Sequence, residues 1–290
     1  MVGKTLRDPR LIRIVRLSDP EQFATAVDVQ RSAWGLEDSM AIPSHVLIAA
    51  QHHSGLVLGA YDGRKMVGVL FGFTALDGKK PYHYSHVTGV VREYQSRGVG
   101  FRLKLAQRDY VIQQGQSLVK WTYDPLQASN AFFNIGKLGA VCRTYKRNLY
   151  GSLNDSLNRG RLTDRFEVEW RVKSPRVLGR IRSRHKALKL VEALASGAEM
   201  ANITERLRSG VRKTVASRLN LKGERLLVEI PESIARVRES SLQLAKSWTL
   251  NLRRIFENYF PKGYVAKDMV FEGKGDGRRV FYLLERNPRL

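Results

Sequence analysis

Polar and apolar residues alternate over residues 12–17, the period of two expected of a half-buried edge strand. Asp19-Pro20-Glu21 then offers a helix start, with Asp19 as cap and Pro20 in the first turn, and the helix is expected to run to Trp34-Gly35. Ile42-Pro43-Ser44 opens a second, shorter helix ending near His53. Two apolar runs, 55–61 and 66–74, straddle Asp62-Gly63 and read as a hairpin, and 82–91 reads as the next strand. Val99, Leu103, Ala106 and Tyr110 then recur at helical spacing, and Gly115 stops that helix. A strand over 118–123 ends at Asp124-Pro125, the latter pair a strand end and cap. A short helix over 129–138 ends at Gly139, and strands follow over 141–150 and 166–172. The resulting order is β-α-α-β-β-β-α-β-α-β-β, an α/β (α+β) mixed sheet with flanking helices.

Ser174-Pro175 marks the expected boundary between a domain over 1–172 and a region over 173–290. Residues 176–189 are basic and helical in period, as a solvated surface helix or a phosphate-contacting face would be. Gly197 and Gly210 punctuate a weaker helical stretch. Beyond it come a strand over 226–230, a long helix from Pro231 with Val237, Leu244, Trp248, Leu252, Ile255 and Tyr259 on one stripe, and a hairpin of 264–271 and 279–285. That series repeats the one over 118–172. It is expected to be a diverged half of the first domain, or else an unrelated α+β cap.

The 290-residue chain is long enough for a full core, and its 43% hydrophobic content is ordinary for a globular protein. A single cysteine, Cys142, excludes an intrachain disulfide and sits in an apolar stretch as a core thiol would. It fits a reducing cytoplasm. No apolar run reaches membrane-span length, and the basic N-terminus lacks the apolar core of a signal peptide. Charge adds a second theme: 50 Lys and Arg against 27 acids, net +23, attract nucleic acid or another polyanion. Aromatic residues are not interleaved with the basic runs, so no base-stacking platform is evident.

The most informative stretch is 90–101, a strand leading through Gln95-Ser96-Arg97-Gly98-Val99-Gly100 into a helix. Its glycines permit a tight turn and close approach of a ligand, and amides at a helix N-terminus favour an anion. A plain strand-to-helix turn would show the same glycines. The dinucleotide fingerprint and the P-loop both fail, since neither Gly-x-Gly-x-x-Gly near the first strand nor Gly-Lys-Ser/Thr is present. The form Gln-x-x-Gly-x-Gly resembles the pyrophosphate loop of the GNAT superfamily of acyl-CoA N-acyltransferases. The resemblance runs over about 10–172 and is carried further by Trp34-Gly35, residues 121–126, Asn130-Ala131, Asn134, Lys137-Leu138-Gly139, Tyr150-Gly151, residues 158–160, Asp164-Arg165-Phe166 and Trp170. It points to a little-characterised group of GNAT-like proteins whose substrate it does not supply.

The resemblance implies a GNAT-like fold with an additional C-terminal α+β region, and an acetyltransferase using acetyl-CoA or another acyl-CoA. It places pyrophosphate on the main chain of Gln95, Ser96, Arg97, Gly98, Val99, Gly100 and Phe101, pantetheine along Val90 and Val91, and a strand bulge at Gly89. Strand parity then puts Tyr84, His86, Thr88 and Val90 on one face, with His83 on the other. His86 is expected as general base, directly or through water, with Tyr84 beside it. The thiolate acid of the family, a helix tyrosine, is replaced by Ile135, so Tyr145 or Tyr150 is expected to substitute, unless solvent protonates the thiolate. Asn130 is expected to contact CoA. Asp164 and Arg165 are read as acceptor-site charges or as a surface ion pair. No metal-ligand spacing and no Gly-x-Ser-x-Gly elbow occur. The acceptor amine, small molecule or protein, stays open, as do oligomerisation and a second reading as a non-catalytic CoA-binding or nucleic-acid-associated module.

Overall fold

Local sequence signals set the first elements. In this computed structural model, which describes residues 12–35, 40–151, 162–182 and 187–289, strand β1 (Arg13–Arg16) leads into helix α1 (Pro20–Trp34). The Asp19 carboxylate accepts from the Glu21 amide, and the Gln22 side chain reaches back to the Asp19 amide, so two helix-end donors are satisfied. Gly35, at φ +62°, closes the helix. From α2 (Ser44–His52), Gln51 donates to the Leu17 carbonyl at 2.7 Å and accepts from the Val57 amide at 2.8 Å. One side chain thus ties the chain after β1 to the start of β2 (Leu56–Asp62). β3 (Lys65–Asp77), β4 (Lys80–Val90), α3 (Val99–Gln113) and β5 (Leu118–Tyr123) follow.

The chain divides into two units, the first running through Trp121 and the second from Thr122. The division falls within β5 and does not coincide with the boundary expected at 172/173. In the first unit the strand order is β1-β2-β3-β4-β5, with only the β4–β5 pair parallel. Helices α1 and α3 lie on opposite faces. A Cβ at Gly89, which pairs with Val69, would run into the Trp34 ring of α1; a Cβ at the adjacent Gly68 would meet Leu103 of α3. Phe23, Ala26, Val57, Val67, Leu70 and Leu103 are among the buried residues of this core.

In the second unit, α4 (Ala128–Ala131) widens into a π-helical turn through Lys137 and precedes the hairpin of β6 (Val141–Lys146) and β7 (Arg165–Arg171). Next come α5 (Pro175–Arg182), β8 (Leu188–Lys189), α6 (Leu190–Ala195), β9 (Glu199–Met200), β10 (Asn202–Arg206), β11 (Arg212–Ser217) and β12 (Arg225–Ile230). Helices α7 (Ile234–Ser240) and α8 (Leu242–Tyr259), then strands β13 (Tyr264–Glu272) and β14 (Arg279–Arg286), complete it. Its sheet has the order β7-β6-β13-β14-β12-β9, with β8 beside β13, while β10 and β11 form a separate ribbon.

Through β7 the element order is the one expected from the sequence. Beyond β7 three expectations are corrected. The stretch read as weakly helical holds the β10–β11 hairpin, turned at Gly210 with φ +83°. Of the stretch read as one basic helix, Pro175–Arg182 is helical, while Leu188–Lys189 is a strand that pairs with β13. The long helix is broken at Ser241, whose extended backbone (φ −166°, ψ 121°) and side chain cap α8 at the Leu244 amide. No described helix is long and apolar enough to cross a membrane.

Candidate functional site

The β4 strand is irregular where the chemistry was expected. Its ladder with β3 pairs Phe71 with Val87 and Gly72 with Ser85, so His86 is an extra residue, a β-bulge. The bulge expected at Gly89 therefore lies at His86, and Gly89 is instead the clearance for Trp34. The inserted residue reverses parity. His83 and Ser85 point toward α3, Tyr84 and His86 point to the α1 face, and beyond the bulge Thr88 and Val90 point to the α3 face. The single face expected for Tyr84, His86, Thr88 and Val90 is thus split in two.

On the α1 face the rings of Phe71, Phe73, Tyr84 and His86 form a connected group, with centroids 5.6–6.2 Å apart along its edges. His86 is exposed within it, yet the packed surroundings lower its imidazole pKa below the ordinary 6.5. The parallel ladder to β5 pairs His83 with Val119 and Tyr84 with Lys120 and stops there, although β4 continues to Val90.

A built loop follows β4. The Tyr94 hydroxyl donates to Asp62 at 2.7 Å, and the Gln95 side chain donates to the Val90 carbonyl at 2.9 Å. The Val91 amide bonds the Val67 carbonyl at 3.0 Å, so this main-chain donor is spent within the sheet. Ser96 (φ +61°) and Gly98 (φ +83°) both take left-handed backbone, and a Cβ at Gly98 would meet nothing within 4 Å. Gly98 is the N-terminal cap residue of α3, and no side chain caps that end. The amides of Val99, Gly100 and Phe101 therefore head a 15-residue helix with the positive end of its dipole. Arg97 lies exposed with its guanidinium 5.9 Å from the Tyr94 ring centroid.

The α3 face of β4 holds a buried polar group that the sequence reading missed. The Lys104 ammonium donates to Ser85 Oγ at 2.7 Å and to Gln107 Oε1 at 3.1 Å. Burial lowers its pKa to about 7. Beside it, burial first and the Lys104 charge second push His83 down to about 3. Neither ring nitrogen of His83 has a hydrogen-bond partner. Two polar residues at 104 and 107, between the apolar positions of an amphipathic helix, were the available signal.

Other expected site residues belong to the second unit. Asn130 is exposed on α4. Tyr145 donates its hydroxyl to Asp164 at 2.7 Å, and burial, that bond and the Asp164 charge raise its pKa well above the usual phenol value. Asp164 is not a surface charge paired with Arg165. It is 2% exposed and takes a two-pronged bond from Arg253 at 2.8 and 2.9 Å, plus the Asn148 amide. Burial alone would raise its carboxyl; Arg253, Tyr145 and Asn148 hold it below the usual carboxylate range. Arg165 is buried, donates to the Asp164 carbonyl and sits 5.5 Å from the Tyr150 ring. Asp124 turns its carboxylate onto the Leu126 amide, the expected cap. Cys142 is fully buried and burial raises its thiol pKa, as a core thiol requires. Residues 158–160 lie outside the described residues.

No protein-family model matches the chain, and no curated protein matches it. Among solved structures it is similar to an aminoglycoside acetyltransferase, meta-AAC0020, from an uncultured soil metagenomic sample (22% identity, 43% of this chain and 85% of that one, TM-score 0.39). It is similar also to the ribosomal-protein-S18-alanine N-acetyltransferase from Escherichia coli (17% identity, 56% and 95%, TM-score 0.45) and to the NatC complex bound to Gag peptide and CoA (13% identity, 55% and 98%, TM-score 0.45).

Proposed function

We propose that this protein is an acyl-CoA-dependent N-acyltransferase of the GNAT type, moving an acetyl or similar short acyl group to an amine by direct attack. The observation that carries this reading is the run from β4 into α3: a ladder to β5 that stops at Tyr84, a bulge at His86, and a left-handed Gly98 opening a helix with no side-chain cap. In this reading the CoA pyrophosphate takes the amides of Val99, Gly100 and Phe101, with the helix dipole behind them. Pantetheine lies along the edge of β4 that β5 no longer pairs.

His86 accepts the proton of the attacking amine, directly or through water. Its lowered pKa keeps it neutral near pH 7, the form that can accept. Tyr84, with its ring centroid 6.1 Å from that of His86, helps hold the imidazole. The amine nitrogen bonds the acyl carbon, the C–S bond breaks, and the CoA thiolate takes a proton from solvent. Tyr145 is not assigned as that acid, because its own proton is committed to Asp164. A second reading, a CoA-binding or nucleic-acid-associated module without catalysis, is favoured by Ile135, which stands fully buried where the family's acid would be.

Calorimetric titration with acetyl-CoA and with desulfo-CoA, beside a Gly98→Glu variant, tests the site. Micromolar binding that the variant abolishes supports the loop assignment. No binding by the folded parent protein would reduce the loop to a turn and end the proposal. If binding is found, acyl transfer lost in His86→Ala with binding kept favours the enzyme over the module.

A further inference from the structure

The ladder between β4 and β5 ends with the pair Tyr84–Lys120, and the next register step would set Ser85 beside Trp121. Both of these side chains share the α3 face with His83 and Val119, two residues earlier on each strand. Instead of closing on each other they meet the side chain of Lys104. Its ammonium donates to Ser85 Oγ at 2.7 Å and lies 3.9 Å from the centroid of the Trp121 ring. One residue of α3 thus holds both strands at the point where their ladder stops. We propose that Lys104 is a positioning residue of the acyl-CoA site, clasping the open end of the β4–β5 ladder and charged in the complex. This rests on the acyl-CoA reading of the loop before α3.

Position 104 lies on the core stripe of α3, buried with Val99, Leu103, Gln107 and Val111. An apolar side chain there would avoid the cost of burying an ammonium among neutral partners. Those partners are a hydroxyl, the Gln107 amide oxygen at 3.1 Å and an indole ring, and among the described residues no carboxylate pairs with Lys104. Burial alone lowers its pKa. The groups facing it supply no counter-charge: His83 from β4 stays neutral down to about pH 3, Trp121 from β5 and Gln107 from α3 do not titrate, and Gly72 from β3 has no side chain. A charge kept at a cost to the fold points to a counter-charge from outside it. Lys104 is four residues past Gly100, about 6 Å along the helix axis at about 1.5 Å per residue, and so close to the amides proposed for the pyrophosphate. An anion held there favours the charged lysine, and by reciprocity the charged lysine favours the anion. The ammonium also grips Ser85 and the Trp121 ring more strongly than a neutral amine would, which tightens the clasp when the ligand is in place.

The test titrates desulfo-CoA calorimetrically into the full chain, in pairs of buffers with different ionisation enthalpies, which counts the protons taken up on binding. The parent and Lys104→Met, which keeps most of the side-chain bulk, are compared from about pH 6 to about pH 9, the range that brackets the lysine's titration. Protons gained or lost by the ligand's own phosphates are common to both proteins and cancel in the difference. Near pH 7 the parent is expected to take up about half a proton more than the variant, because Lys104 is half charged there when free and fully charged when bound. Its affinity should fall up to about tenfold relative to the variant's as pH rises, the factor for a bound-state pKa one unit higher. Equal uptake with parallel affinity profiles overturns the proposal and leaves the acyl-CoA reading standing. Weaker binding by the variant with unchanged uptake marks a merely structural lysine and overturns it too. No binding of desulfo-CoA by the folded parent ends both. Should Lys104→Met lose its cooperative melt, Lys104→Gln is read in the same way.

Discussion

The Lys104 ammonium sits 3.9 Å from the centroid of the Trp121 ring, inside the first unit and 2% exposed. The π face, the Ser85 hydroxyl and the Gln107 carbonyl oxygen are polar partners without charge, so they compensate burial of an ammonium only in part.

This makes stability depend on alkaline pH. The folded-state pKa of about 7 lies below the ordinary 10.5. Between those values the unfolded chain holds a proton that the fold has lost, so stability rises with pH across the interval. Below it both states are protonated and the full penalty is present. Lys104→Met should abolish the rise. It also leaves Ser85 Oγ and Gln107 Oε1 without this donor, at about 1–3 kcal/mol each. The two stability curves should therefore cross, the variant ahead at the acid end of the interval and behind at the alkaline end. Urea midpoints measured across it check this; parallel curves would refute it.

His83 controls the acid side. Its pKa of about 3 against the ordinary 6.5 means that the unfolded chain takes up a proton first as pH falls. Stability is then lost progressively from 6.5 down toward 3. His83→Leu removes that loss without breaking a hydrogen bond, since neither ring nitrogen makes one. The variant should resist acid better than the parent, read by circular dichroism along an acid titration.

Asp164 anchors the second unit through Arg253, Tyr145 and Asn148. Asp164→Ala leaves the Arg253 guanidinium, 18% exposed, without its carboxylate and should cost about 3–5 kcal/mol. Because the Asp164 pKa is depressed, the stability it lends is present above its unfolded value and lost as pH falls through the folded one. The deficit of the variant should accordingly shrink in acid, measured by thermal melts at falling pH.

His86→Ala should lower kcat about 10²–10⁴-fold if the imidazole is the general base. Acetyl-CoA affinity should change little, because the proposed pyrophosphate contacts are main-chain amides. The acid limb of kcat/KM should fall below the ordinary histidine value, following the lowered pKa. An unchanged kcat would remove His86 from the mechanism.

Much of the first unit was legible because its signals are local. Asp19-Pro20, Asp62-Gly63 and Gly115 act through caps and turns a few residues long, and the structure puts elements where they pointed. The loop was legible for the same reason. Parity along β4 was not, since a bulge is a property of two strands in register and leaves no local mark around His86. The Asp164 clamp was hidden because its partner Arg253 is 89 residues away. Ser241 looked like one polar position in a long amphipathic stripe; only its extended backbone reveals two helices. The β10–β11 ribbon escaped because its exposed, charged positions lack the apolar alternation of a core strand.

The bulge at His86 also decides which kinds of heritable change β4 can absorb. A substitution alters one position and leaves the rest facing as before. Loss of the single codon for His86 would make Ser85 and Val87 neighbours, restore unbroken pairing to β3 and leave every other side chain of the strand on its present face. His83 and Ser85 would stay beside Lys104, and Gly89 would still meet Trp34. The sheet itself does not require His86: a one-residue loss there would remove the imidazole and nothing else from the two faces of β4.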